Sequence, residues 1–213
     1  TKAKEVEKQP AEKADAYARD STAAPSARLW TLTRLAELAL RVGNAKQAEA
    51  HFKQALGLRV DDQYLLASYA DFLLDQGRAR EVPALLKGWG KSDILLLRLA
   101  LADHVLKGSG GGEHARALQS RFEAAAMRSD TLHLQEEARF RLQLLGDAKR
   151  ALALAQENWA AQREPRDARI LLEAAIALRD AAAGKPVVRW LESSRHEDPV
   201  LQRLAHELTN LPQ

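Results

Sequence analysis

The stretch WTLTRLAELALRVGNAKQAEAHFKQAL, residues 30 to 56, decides the fold of this 213-residue chain. On both sides of Gly43-Asn44 the apolar residues recur at every third or fourth position, which is the spacing of one helix face. A glycine adopts at little cost the positive φ that ends a helix. The stretch therefore predicts two helices joined by a short turn at Gly43, a helical hairpin.

Glycine and proline recur along the rest of the chain at nearly constant spacing. The intervals are 34 residues from Gly43 to Gly77, 34 from Gly77 to Gly111, 35 from Gly111 to Gly146, and 34 from Pro165 to Pro199. A period of this length with two helices in each unit is that of the tetratricopeptide repeat. One such unit cannot bury its apolar face alone, so the pattern predicts a stack of units.

The first unit resembles the tetratricopeptide family in individual residues as well as in length. Small residues, Ala36 and Ala48, stand where the two helices are expected to cross, because bulky side chains would push the helix axes apart. Phe52 is expected to fill the space between one hairpin and the next. The residues that carry the resemblance are Leu35-Ala36, Ala39, Gly43-Asn44, Ala48, Phe52 and Ala55-Leu56.

The resemblance implies an all-α fold, a right-handed superhelix of about five helical hairpins that ends in a capping helix. One domain is expected over residues 27–213, with repeats at 29–62, 63–91, 92–130, 131–165 and 166–198 and a cap at 199–211. Residues 1–26 are interpreted as a leading segment or the remnant of an earlier repeat. They are expected to contain a short helix around Ala11 to Arg19.

Departures from the family pattern predict local features of the later units. Val82-Pro83 stands where a small residue is usual, so the second helix of the second unit is expected to be short. The remaining expectations are helices over Ile94 to Leu106, His114 to Arg128 and Pro199 to Leu208, a connection over Gly108 to Gly112, and a turn at Gly184-Lys185-Pro186.

Composition excludes several classes of function. The chain has 32 basic and 29 acidic residues mixed along its length, a net charge of +3, and no cysteine, which rules out disulfides and thiol nucleophiles. The longest apolar run, Ile94 to Ala102, is far too short to cross a bilayer. Histidines 51, 104, 114, 133, 196 and 206 lack metal-ligand spacing. No enzyme activity, cofactor, metal or membrane insertion is therefore expected.

The resemblance implies that the first helix of each unit lines a concave wall that binds a peptide or a partner's helix. Because acidic side chains occupy that wall, a basic or mixed peptide is expected to fit better than a terminal carboxylate. Carrying the helical phase along the chain gives these candidate peptide-binding residues: Trp30, Thr33, Glu37, Arg41, Tyr64, Ala67, Asp71, Asp75, Arg98, His133, Glu136 and Gln143.

The leading hypothesis is a scaffold for protein or peptide partners. Two alternatives remain open: a structural or dimerising repeat region of a larger exported protein, and a helical-repeat nucleic-acid binder, which the acidic wall disfavours. Segments such as Leu144-Leu145-Gly146-Asp147 resemble the C-terminal part of longer exported bacterial tetratricopeptide proteins. Because the sequence begins at Thr1, it is interpreted as a piece of a longer precursor. The resemblance to exported proteins favours the periplasm or the outside of the cell over the cytoplasm. The oligomeric state stays open.

Overall fold

The computed structural model describes residues 13–16, 18, 24–107, 112–128 and 130–211, and in these ranges all regular structure is helical. The fold class is therefore all-α, as expected. The α-helices are α1 (Pro25–Arg41), α2 (Ala45–Gly57), α3 (Gln63–Asp75), α4 (Val82–Leu85), α5 (Asp93–Lys107), α6 (Glu113–Met127), α7 (Leu134–Gln143), α8 (Ala148–Ala161), α9 (Pro165–Ala177), α10 (Ala181–Ser194) and α11 (Pro199–Thr209).

The chain divides into two compact units, residues 1–72 and 73–213. In the first unit, α1 and α2 form the hairpin predicted from residues 30 to 56. Ala36 and Ala48 are fully buried, as expected of small residues at a helix crossing. Gly43 has a φ of +76°, and the side chain of Asn44 accepts the backbone N–H of Gln47 to begin α2.

Phe52 occupies the position expected of a residue that joins successive helices. Its ring centroid lies 5.3 Å from that of Tyr69 and 5.8 Å from that of Phe72, both on α3. All three side chains are buried. Aromatic pairs at these separations add to the free energy gained by burying their surface. The end of α2 is thereby packed against the part of α3 that belongs to the same unit.

The second unit contains two groups of buried apolar residues. One lies among α5, α6 and α7 and includes Leu97, Leu118 and the neighbouring rings of Phe122 and Phe140, whose centroids are 5.5 Å apart. The other lies among α7, α8, α9, α10 and α11 and includes Trp159, whose ring meets that of Trp190 edge-on. Helices adjacent in sequence pack together, and α5 also contacts α7 while α7 also contacts α9.

Three predicted helices of the second unit, α5, α6 and α11, are confirmed to within a residue at each end. The short helix predicted at Val82-Pro83 is confirmed as well, because a 3₁₀ turn at Ala79–Glu81 leads directly into the four-residue α4. Of the predicted connection over Gly108 to Gly112, only Gly112 is among the described residues. The helix predicted around Ala11 to Arg19 is described only at residues 13–16 and 18, which are helical.

The turn predicted at Gly184-Lys185-Pro186 is wrong, because these residues lie inside α10. The chain turns earlier, at residues 178–180, where Arg179 has a φ of +55°. The side chain of Asp180 accepts the backbone N–H of Ala183 and so begins α10. Gly184 serves close packing instead: a Cβ added to it would lie 2.3 Å from Cδ2 of Leu208 on α11.

Candidate functional site

Side chains predicted from the sequence to bind a ligand meet in one cluster of the first unit. We call Trp30, Arg34, Glu37 and Tyr64 the aromatic-arginine cluster. Trp30, Arg34 and Glu37 stand three and four residues apart on α1, which places them on the same helix face, and Tyr64 begins the neighbouring α3. The ring of Trp30 is 62% exposed. The cluster therefore presents an indole to solvent beside a charged pair.

The guanidinium of Arg34 is held by three neighbours. Its Nη1 donates to Oε2 of Glu37 over 2.7 Å and to the hydroxyl of Tyr64 over 3.0 Å. Its central carbon lies 4.8 Å from the ring centroid of Tyr64 and 5.7 Å from that of Trp30. The Tyr64 hydroxyl donates in turn to Oε1 of Glu37. Partial burial lowers the pKa of Arg34. The nearby Glu37 and Tyr64 together raise this pKa by more than burial lowers it, so the net change is upward.

The other predicted residues of the first unit are less accessible. Thr33 is buried, and its hydroxyl donates to the carbonyl oxygen of Leu29 one turn earlier on α1. Ala67 is buried too, and Arg41 and Asp71 are partly buried. Thr33 and Ala67 therefore contribute packing and are not part of the surface proposed below.

The second unit contains a shallow pocket of about 240 Å³, which we call the α5/α7/α9 pocket. Its apolar wall comes from Leu74 at the end of α3 and from Leu101 and Val105 on α5. Val105 is 63% exposed, so an apolar side chain faces solvent there. The complete lining is Leu74, Asp75, Leu101, His104, Val105, Arg139, Gln143 and Arg169.

A ladder of polar contacts forms the other wall of the α5/α7/α9 pocket. Arg169 on α9 makes two hydrogen bonds with the carboxylate of Asp75, from Nη1 over 2.7 Å and from Nη2 over 2.8 Å. Its Nε donates to Glu173, which also accepts a hydrogen bond from Gln143 on α7. Gln143 accepts in turn from Nε of Arg139. Burial lowers the pKa of Arg169, but Asp75 and Glu173 outweigh it and raise the pKa well above its ordinary range.

One polar atom of this pocket lacks a partner in the structure. Nδ1 of His104 is buried and makes no hydrogen bond. Because this nitrogen is buried, the open side of the pocket does not present it to a ligand. The pocket thus combines an apolar wall, in which Val105 is exposed, with a charged wall in which Arg169 is paired with carboxylates.

Three further predicted residues, Arg98, His133 and Glu136, form a charged group at the beginning of α7. Arg98 on α5 and Glu136 on α7 are both buried, and His133 lies just before α7 with its Nδ1 3.8 Å from Oε2 of Glu136. Burial raises the pKa of Glu136, but His133 and Arg98 outweigh it and lower the net value. The contact with Glu136 raises the pKa of His133 against the effect of burial. Arg98 and Glu136 are therefore not exposed on the surface, whereas His133 remains partly exposed.

Sequence reasoning missed Arg34, His104, Arg169 and Glu173. Arg169 and Glu173 stand four residues apart on α9, the spacing of an ion pair on one helix face, and this signal was readable. The contact of Arg169 with Asp75 was not readable, because it joins residues 94 positions apart. Arg34 could have been found from its spacing to Trp30 and Glu37.

Comparison of the chain with known proteins found no match. No protein-family model matches the sequence, no curated protein matches it significantly, and no solved structure matches it significantly. In the described ranges of the chain, no group of three or more histidine or acidic residues is placed to hold a metal ion. No helix in those ranges has the length and hydropathy needed to cross a membrane.

Proposed function

We propose that this chain is a helical-repeat protein of tetratricopeptide type that binds an extended peptide segment of another protein. The observation that carries the proposal is the lining of the α5/α7/α9 pocket. Every lining residue comes from α3, α5, α7 or α9, and these are the first helices of four successive units predicted from the sequence. In a tetratricopeptide stack the first helices form the binding wall, so the origin of the lining supports this fold and this function together.

Contacts between helices support the same assignment. In the second unit α5 packs on α6 and on α7, while α7 packs on α8 and on α9. A stack of hairpins requires each first helix to contact both its own partner and the first helix of the next unit, because each unit contacts its neighbours in the array.

The size and chemistry of the pocket indicate what part of a peptide it accepts. Its volume of about 240 Å³ is below the roughly 300–1,000 Å³ of sites for small-molecule ligands and cofactors. A single apolar side chain of the peptide would pack on Leu101 and Val105. Because Asp75 already neutralises Arg169, the charged wall selects neither an acidic nor a basic group at this point.

A peptide-display library selected on the whole chain tests the proposal. We expect selected peptides to carry an apolar residue and to lose affinity by about tenfold or more for the variant Val105→Glu, which places a charge on the apolar wall. Leu106→Glu is the matched control, because Leu106 is 41% exposed on the same helix α5 and does not line the pocket. Calorimetric titration of each peptide into the three proteins gives the dissociation constants. Equal affinity for wild type and Val105→Glu would contradict the proposal.

A dimerising repeat region is the second candidate, and exposed apolar side chains favour it. Met127 is 89% exposed and Leu132 82% exposed, on either side of the turn between α6 and α7. Light scattering coupled to size-exclusion chromatography separates the two candidates. A mass that rises with protein concentration, and falls back when Met127 and Leu132 are replaced by glutamate, would favour the dimerising region. A constant monomer mass would exclude it.

A further inference from the structure

The aromatic-arginine cluster has the composition of a complete binding site for a cation. Two aromatic faces, those of Trp30 and Tyr64, lie beside the carboxylate of Glu37. Aromatic faces attract cations through their electron-rich π systems, and a carboxylate adds a full opposite charge. In the structure this site holds a cation of the chain itself, the guanidinium of Arg34.

Arg34 is held by contacts that are individually weak. Its side chain is 47% exposed, and its ion pair with Glu37 joins residues only three apart on the same helix face. Exposed ion pairs and exposed cation–π contacts each contribute little to stability, since water competes for both groups. Rotation of the Arg34 side chain alone would free the site, without any movement of α1 or α3.

We propose that Trp30, Glu37 and Tyr64 form a recognition site for an arginine side chain of the bound partner, which Arg34 occupies until the partner displaces it. This inference rests on the proposed peptide-binding function and names one residue of the peptide. Glu37 excludes acidic groups from the site by like charge.

A guanidinium suits the geometry better than an ammonium. A guanidinium is planar, so it can lie on the ring of Tyr64 while its N–H groups reach both Glu37 and the tyrosine hydroxyl, as Arg34 does. The ammonium of lysine is a compact, strongly hydrated charge without a flat face. The site is therefore expected to prefer arginine over lysine.

The variant Arg34→Ala removes the internal occupant and provides the test. The probe is N-acetyl-arginine amide, and the readout is the indole N–H signal of Trp30 in a ¹H–¹⁵N spectrum, assigned with the variant Trp30→Phe. The expected result is a shift of that signal on titration, with an affinity roughly 3- to 10-fold higher for Arg34→Ala than for wild type, because a competitor of the probe has been removed. N-acetyl-lysine amide should bind more weakly than the arginine probe.

Two further variants keep the test specific. Lys46→Ala removes an exposed positive charge from α2 and should leave the wild-type affinity unchanged, which separates the effect of an emptied site from that of net charge. Glu37→Gln in the Arg34→Ala background should abolish the shift of the Trp30 signal, while circular dichroism verifies that the helices remain. The inference is overturned if Arg34→Ala binds the arginine probe no better than wild type, or if lysine binds as well as arginine.

The outcomes of this test are independent of those for the α5/α7/α9 pocket. A negative result here, with selected peptides still sensitive to Val105→Glu, would overturn only the arginine site. Binding of the arginine probe by Arg34→Ala, with no peptide sensitive to Val105→Glu, would support this site and count against the proposed pocket.

Discussion

His133 and Glu136 show how single residues acquire properties that a sequence does not display. Both were predicted to line a peptide-binding wall, yet Glu136 is buried beside Arg98, and His133 is its ion-pair partner. The carboxylates of Asp93 and Asp130 also lie near His133 and favour its protonated form. At this scale a helix position indicates which side of a helix a residue occupies, and the neighbouring helices decide whether water reaches it.

The pH dependence of stability follows from the raised pKa of His133. A group whose pKa is higher in the folded state stabilises the fold fully below its unfolded-state pKa, about 6.5 for histidine, and this contribution disappears as the pH rises through the folded-state pKa. We therefore expect the free energy of unfolding to decrease from pH 6 upward by less than about 1 kcal/mol, since the His133 side chain is 38% exposed.

Urea unfolding of wild type and His133→Gln across this pH range measures the effect. The variant should lack this part of the pH dependence, because glutamine does not titrate. If the free energy of unfolding changed equally with pH in both proteins, the contact between His133 and Glu136 would contribute nothing to the pH dependence of stability.

At the scale of elements, the packing of α10 on α11 depends on the absence of one side chain. Gly184 lies within α10, where glycine is unfavourable for a helix by about 1 kcal/mol relative to alanine. Its backbone approaches Leu208 so closely that an added Cβ would lie 2.3 Å from Cδ2 and 3.3 Å from Cδ1. The close approach of the two helices therefore outweighs helix propensity at this position.

Gly184→Ala is expected to destabilise the protein by about 1 kcal/mol, because overpacking costs about 1–3 kcal/mol and the better helix propensity returns only part of it. In a Leu208→Ala background the same substitution should become stabilising, since the obstructing side chain is gone. Urea unfolding of the four proteins gives the coupling energy. Additive effects would show that Gly184 and Leu208 do not constrain each other.

At the scale of the whole molecule, charge is distributed rather than concentrated. The chain has 32 basic and 29 acidic residues, and among the described residues Arg169 faces the carboxylate of Asp75 and Arg34 that of Glu37. A nucleic-acid-binding protein instead leaves a basic patch available to neutralise phosphates. Arg169 and Arg34, each paired with a carboxylate, are therefore not expected to contribute to such a patch.

We expect the protein to pass through a heparin column at about 0.15 M salt, because counterion release requires several basic side chains to contact phosphate or sulfate together. A control variant with Asp75 and Glu173 both replaced by uncharged Asn and Gln should be retained more strongly, since Arg169 then loses its partners. Retention of the wild type at this salt concentration would revive the nucleic-acid alternative.

Local patterns of the sequence were sufficient to predict the positions of several helices. Gly43, Gly77 and Gly146 all have φ between +68° and +76°, so the recurring glycine marks real helix ends. Helix periodicity located α5, α6 and α11, because the side chains that must be buried determine which positions are apolar. The prediction failed at Arg179, which adopts a φ of +55° without being glycine, so the only sequence signal of that turn was the N-cap residue Asp180.

The sequence by itself determined that this chain forms helices, where most of them end, and that small residues stand where α1 crosses α2. These properties depend on residues a few positions apart, whose spacing is visible in the chain. Only the tertiary structure decided that Arg169 meets Asp75, that Gly184 meets Leu208, and that Arg34 lies on Tyr64. Such contacts join different helices, and their existence depends on the orientation of each helix against its neighbours, which helical periodicity does not specify.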